Sequence, residues 1–342
     1  MRIAMVVLPY TANNLTVAKQ IGVDDIVYYD MKTMPMGENL RAEVDKLRAL
    51  GLKLTVVECG PPMDRIVMGK DGRDAQIEQF QRALETMGSL GVEVLCYTFM
   101  PQVMGDNMVV RTAYSVPTRG GALTSEFRLS EVTSETVPHS EKPLSVEAMW
   151  DNLEYFLKEV LPAAESAGVK LAMHPDDPPL SPICGLHRIM SSVESFDRLL
   201  SISSSPANGI ALCLGCFMEM GADPVQMAER FRNRIHYVHF RDIAGVTSHF
   251  VETFPDDGPA DFFRIFQAFR SVGLNVPVRV DHVPQLAIEE GPNDGYGFVG
   301  HLYAIGYLRG VIESVYGKRS VARWHSIPAE QRASAYRERS VV

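Results

Sequence analysis

Residues 146–179 read VEAMWDNLEYFLKEVLPAAESAGVKLAMHPDDPP, and this stretch decides the fold. Ser145 stands before it as a helix cap, a helical pattern spans 146–167, and Gly168 closes it. A nearly continuous apolar run, 169–174, follows at once and stops in Pro175-Asp176-Asp177. Helix, glycine, short doubly buried strand and polar strand end form one unit of a parallel sheet covered by helices. Outward from it the unit recurs. Strands are predicted at 3–8, 25–29, 52–58, 92–99, 169–174, 210–214, 235–240 and 276–282. Helical patterns fill 38–50, 75–90, 192–202, 224–232, 262–272 and 301–315, with Gly51, Gly91 and Gly273 as further stops.

This count predicts an α/β fold, a (β/α)8 TIM barrel. An open doubly wound sheet is the alternative, but the first strand leads into Pro9-Tyr10-Thr11-Ala12-Asn13 and not into a glycine-rich phosphate turn. The barrel is expected over residues 1–317. A long insertion after strand 4, residues 101–143, has a hairpin-like turn at Arg119-Gly120-Gly121 and is expected to act as a lid over the C-terminal mouth. Residues 318–342 form a charged C-terminal tail.

Composition narrows the function classes. The chain has 342 residues, 46% apolar and 22% charged, and a net charge of −9, which argues against a general nucleic-acid binder. No apolar run is long enough for a membrane span. The opening MRIAMVVLPY reads as a first buried strand and not as a signal peptide. Five cysteines without a regular framework read as reduced thiols of a cytoplasmic protein. A small anionic substrate remains compatible with this charge, as does a homo-oligomer.

In a barrel the chemistry sits where strands end. His174, Cys213, His239 and Asp281 lie on four successive strand ends, and two imidazoles, a thiolate and a carboxylate suit a divalent transition metal. Each has a plainer alternative: a cysteine in an apolar strand is often core filler, and a strand-end histidine is often structural. Their spacing matches no short metal motif. Asp176-Asp177 before Pro178-Pro179 reads equally as a turn with a capping carboxylate. His236 should face away from His239 by strand alternation. Arg241 and Arg279 are natural partners for a substrate carboxylate, the alternative being salt bridges to neighbouring aspartates.

These strand ends carry a family resemblance. His174-Pro175-Asp176-Asp177-Pro178-Pro179 with Gly185-Leu186-His187-Arg188-Ile189 behind it, Cys96-Tyr97-Thr98-Phe99-Met100-Pro101, Leu212-Cys213-Leu214-Gly215, His239-Phe240-Arg241-Asp242, Arg279-Val280-Asp281-His282 and Gly295-Tyr296-Gly297 resemble, in order, the segments of mannonate dehydratase. That family of metal-dependent lyases belongs to the xylose-isomerase-like TIM barrels. The resemblance implies one Mn²⁺ or Fe²⁺ held by His174, Cys213, His239 and Asp281. It implies loss of water from D-mannonate to give 2-dehydro-3-deoxy-D-gluconate, with His282 and Tyr296 as acid/base groups and Arg111 approaching the substrate from the lid. A phenol near a cation and arginines is expected to be lowered enough to serve as a base. The sequence departs from the family at Thr98 and Asp242, each usually Asn, and lacks a Trp in the stretch before Arg111-Thr112. A metal-dependent sugar isomerase or epimerase on the same barrel, and a catalytically silent sugar-acid-binding homologue, are the competing readings.

Overall fold

The computed structural model describes residues 1–29, 38–58, 60–101, 109–133, 142–291 and 295–317. In chain order the strands are β1 (Arg2–Val6), β2 (Asp25–Tyr29), β3 (Lys53–Glu58), β4 (Val94–Tyr97), β5 (Ala113–Pro117), β6 (Leu123–Arg128), β7 (Lys170–Met173), β8 (Asn208–Cys213), β9 (Ile235–Phe240), β10 (Ile243–Val246), β11 (His249–Glu252) and β12 (Pro277–Val280). Eight of them close a parallel barrel in the order β1-β12-β9-β8-β7-β4-β3-β2. All eight fall within the predicted strands or within two residues of them.

Helices cover the outside. The helix Val146–Ala167 begins at Ser145, whose side chain accepts from the Ala148 N–H, and ends at Gly168 with φ 68°. Its stripe of Leu153, Phe156, Leu157, Val160 and Leu161 is buried, and Phe156 meets Phe80 edge-on at 5.0 Å. The barrel interior is narrow and takes small residues on alternate strand positions, Ala4, Val6, Val27, Val56, Val94, Ala172 and Ala211, with Tyr237 as its largest member. His236 points out of the barrel, its Nδ1 donating to the Leu171 carbonyl, as strand alternation requires.

The insertion forms a hairpin. β5 and β6 are antiparallel and joined through Arg119–Gly121, where Gly120 and Gly121 take positive φ. The sequence did not reveal what this hairpin joins. β10 and β11, which follow barrel strand β9, extend it to a four-stranded sheet in the order β10-β11-β6-β5. Leu123 of the hairpin also bridges Gln285, just beyond β12, and the Val110 N–H donates to the Asp177 carbonyl beyond β7. The described part of the insertion therefore lies across the C-terminal ends of β7, β9 and β12. Cys59, residues 102–108 and the tail 318–342 lie outside the described residues. Among the described residues no helix is long and apolar enough to cross a membrane.

Candidate active site and metal centre

Parallel register builds the site. His239 pairs with Cys213 on one side and with Arg279 on the other, while Glu58 pairs with Cys96. Residues at one register level point inward together, so the strand ends of β3, β4, β8, β9 and β12 deliver their side chains to one layer.

The proposed ligands converge. The ligand atoms of His174, Cys213 and His239 lie within 4.8 Å of one another. Asp281 closes the group, with Oδ2 3.6 Å from His239 Nδ1 and 3.8 Å from Cys213 Sγ. All four are buried. His174 Nδ1 sits 2.8 Å from the Pro175 carbonyl and donates to it, which leaves Nε2 with a bare lone pair toward the cluster. That Nε2 is 3.1 Å from His239 Nδ1. Neighbouring nitrogens around one divalent ion with ~2.1 Å bonds are spaced similarly. The two imidazoles and the thiolate thus fit a divalent ion on chemistry and on spacing, and Asp281 adds a carboxylate beside two of them.

The surrounding charges hold the thiol and the carboxylate of that set ionised, while Glu58 and Asp281 raise His239 against its burial and the Arg279 charge. Burial pushes the Cys213 thiol up, but a hydrogen bond from Cys216, the Arg241 charge and the two imidazoles outweigh it and hold it well below the usual thiol range. Cys216 is held up by burial and by Cys213, so it stays the protonated partner. Burial also opposes the charge on Asp281, yet Arg279, His282 and His239 keep it ionised. Glu58 is likewise raised by burial and brought down to about 2 by Arg279 and His239. His239 Nε2 faces away from the ligand group, toward Arg279 Nε at 3.2 Å and Glu58 at 3.5 Å.

The three arginines are all engaged. Arg279 reaches Glu58 at 2.6 Å, Asp281 at 2.9 Å and the Tyr296 hydroxyl at 3.3 Å. Arg241 binds Asp177 at 2.6 Å and Glu219 at 2.7 Å, over Gly215, where a Cβ would stand 2.2 Å from its Nε. Arg111 binds Asp177 at 2.7 Å and Glu252 at 2.7 Å. The structure thus contains the salt bridges set as the alternative for Arg241 and Arg279, and it holds Arg111 in the same way. Asp177, read equally as a turn residue, is instead the carboxylate that joins these two guanidinium groups; its neighbour Asp176 accepts from the Met190 N–H. Asp242 is a turn residue, accepting from the Ile243 and Ala260 N–H groups.

His282 reaches the site because β12 ends at Val280, so strand alternation no longer sets its direction. Its Nε2 is 3.8 Å from Asp281 and its ring stands edge-on to Tyr296 at 5.2 Å. Tyr296 also stacks on Tyr29 at 5.2 Å and on His301 at 5.8 Å. The protein's own groups do not lower the phenol. Burial holds Tyr296 well above the ordinary tyrosine value, and the Arg279 charge does not offset it against Tyr29, Asp281 and Glu58. Among the protein's own groups the phenol therefore rests protonated. Sequence reading also left Glu58, Glu219 and Glu252 without a role. Glu58 was visible as a strand-end carboxylate; Glu252 sits in a strand of the accessory sheet that carried no motif.

Comparison with known proteins agrees with this geometry. The family model described as D-mannonate dehydratase (UxuA) matches residues 9–140 and 134–321. A mannonate dehydratase of Oceanobacillus iheyensis is 32% identical over 302 residues, covering 79% of this chain and 85% of that one. The crystal structure of mannonate dehydratase from Streptococcus suis serotype 2 superposes with a TM-score of 0.83 at 30% identity, covering 92% of this chain and 94% of that one. A 3-keto-D-glucoside 4-epimerase from E. coli, at 15% identity and TM-score 0.60 over 91% of this chain and 99% of that one, shares the barrel alone. The chain belongs to the D-mannonate dehydratase (UxuA) family.

Proposed function

We propose that this chain removes water from D-mannonate to give 2-dehydro-3-deoxy-D-gluconate, using one Mn²⁺ or Fe²⁺ held by His174, Cys213, His239 and Asp281. The observation that carries the reading is the convergence of these four buried donors at the barrel mouth in a chain of this family. When bound, the ion supplies Lewis-acid stabilisation of the negative charge that develops as the C2 proton leaves.

The chain's own residues do the rest. His282 takes the C2 proton at Nε2, its Nδ1 being turned toward Glu252. Tyr296, a protonated phenol, gives its proton to the departing C3 hydroxyl, which leaves as water. The resulting enol tautomerises to the 2-keto acid, and both side chains reset by proton exchange with solvent. Arg279 lies between Tyr296 and the ligand set, the place for a substrate carboxylate. Arg111 and Arg241 support this site by fixing Asp177 and Glu252. Residues 101–143 act as a lid that excludes water from the charged intermediate. The free thiols of Cys96, Cys184, Cys213 and Cys216 suit a cytoplasmic setting.

The test is direct. Purified protein loaded with Mn²⁺ or Fe²⁺ is given D-mannonate, other hexonates and ketoses. Formation of a 2-keto-3-deoxy acid from D-mannonate is expected. Ketose epimerisation without dehydration, or metal and sugar-acid binding without turnover, would replace this reading.

A further inference from the structure

Glu252 ends β11 in the accessory sheet, outside the barrel. Alternation along His249–Glu252 turns Phe250 and Glu252 to the buried face, where Phe250 stacks on Phe127 of β6 at 5.7 Å. Its carboxylate is then surrounded by donors. Oε1 accepts from His282 Nδ1 at 2.6 Å and from Arg111 at 2.7 Å, with Arg241 at 3.4 Å. Oε2 accepts from the Ser125 hydroxyl at 2.5 Å. Ser125 and Arg111 belong to the insertion, Arg241 and His282 to the barrel ends. The only described atom that joins the insertion to His282 in this way is Glu252 Oε1.

We infer that Glu252 is the positioning residue of His282, and that through it the hairpin sets the proton-handling histidine. A carboxylate that accepts from Nδ1–H fixes the ring's orientation and its tautomer. It leaves Nε2 as the atom available for proton transfer on the side of Asp281. The accessory sheet is then part of the catalytic apparatus: its pairing with the hairpin holds Glu252, and Glu252 holds the ring. This inference rests on the dehydratase reading for its kinetic consequences and on the fold alone for the histidine tautomer.

The experiment has two arms. In the first, Mn²⁺-loaded wild type, Glu252→Gln, His282→Asn and the double variant are compared on D-mannonate. Glu252→Gln is expected to lower kcat by roughly 10–100-fold, as loss of a histidine's orienting partner does at comparable sites, with KM within about threefold and metal content unchanged. The double variant is expected to be no slower than His282→Asn, because a residue that acts through His282 has no effect once His282 is gone. Additive losses in the double variant would overturn the inference. The second arm needs neither turnover nor a Glu252 variant. Metal-free wild type with ¹⁵N-labelled histidine, compared with His282→Asn to assign the signal, should show His282 protonated at Nδ1 in a strong hydrogen bond. A bare Nδ1 would overturn the inference even if Glu252→Gln failed to fold. If wild type does not dehydrate D-mannonate, the functional reading falls and the second arm still decides the Glu252–His282 pairing.

Discussion

Cys213 sits at the junction of two roles. It ends β8 and caps the short helix Leu214–Glu219, so its backbone is structural while its sulfur faces the histidines. Cys213→Ser should keep the fold and lose metal, since a barrel of this size does not depend on the ion to fold. A thermal shift of no more than ~3 °C with a clear fall in bound metal by elemental analysis is expected; unchanged metal content would remove Cys213 from the ligand set. Tyr296 is the second test at this scale. Tyr296→Phe keeps the ring that stacks between Tyr29 and His301 and removes only the hydroxyl beside Arg279. Metal and melting temperature should stay, while turnover falls by ~10²-fold or more. Full activity would reduce Tyr296 to a packing residue.

The accessory sheet is the element on which the lid reading depends. Its hairpin turn is pinned by Arg119, which binds Asp256 at 2.8 Å and lies over the rings of Phe254 and Tyr303. These contacts are partly exposed and individually weak. Arg119→Ala should leave the barrel's melting temperature unchanged, speed protease cleavage within residues 113–128, and lower kcat/KM by ~2–5-fold, the size of one surface ion pair. Faster cleavage with wild-type kcat/KM would show that the hairpin does not serve the reaction. The barrel strands were readable because both faces of each are buried, which leaves an apolar run in the sequence. β10 was not, because three of its four residues are exposed and its sequence, Ile243-Ala244-Gly245-Val246, carries no period. Those two accessory strands exist through pairing with the hairpin, a contact between segments more than a hundred residues apart.

For the whole molecule, acid stability follows from groups held away from their ordinary protonation. Burial lowers His236 and His301 to about 4, so the unfolded chain binds more protons than the folded one below pH 6.5. Their contribution is present above pH 6.5 and is lost as pH falls to about 4. Glu58, depressed to about 2, adds a loss that begins near its unfolded value of 4.5. These groups act to lower the melting temperature between pH 7 and 4, while burial raises Asp176 to about 7 and Asp242 to about 6, which acts in the opposite direction. His236→Asn, which can still donate to the Leu171 carbonyl, should reduce the lowering by up to about 3 kcal/mol of pH-dependent stability; parallel curves for the two proteins would show that His236 does not titrate with folding. Removal of the metal by a chelator should leave the secondary structure by circular dichroism and abolish turnover, with Mn²⁺ or Fe²⁺ restoring it. Loss of the helical signal on chelation would mean that the ion supports the fold.

By itself the sequence determined the barrel, the order of its strands and the four strand-end positions proposed as ligands, since each rests on a local pattern: an apolar run, a glycine stop, a polar residue at a strand end. The His174–Asp177 segment carried both the strand and the family resemblance. Only the tertiary structure decided the charge network. Arg111, Asp177, Arg241 and Glu252 come from four separate segments, and no spacing along the chain says that they meet. What the protein's own groups do to the Tyr296 phenol was hidden for the same reason. The sequence shows arginines and a metal site nearby, but the burial that raises the phenol depends on Tyr29, His282 and His301 closing around it. Desolvation is a property of the packed molecule, and at Tyr296 it outweighs the neighbouring arginine that the sequence does show.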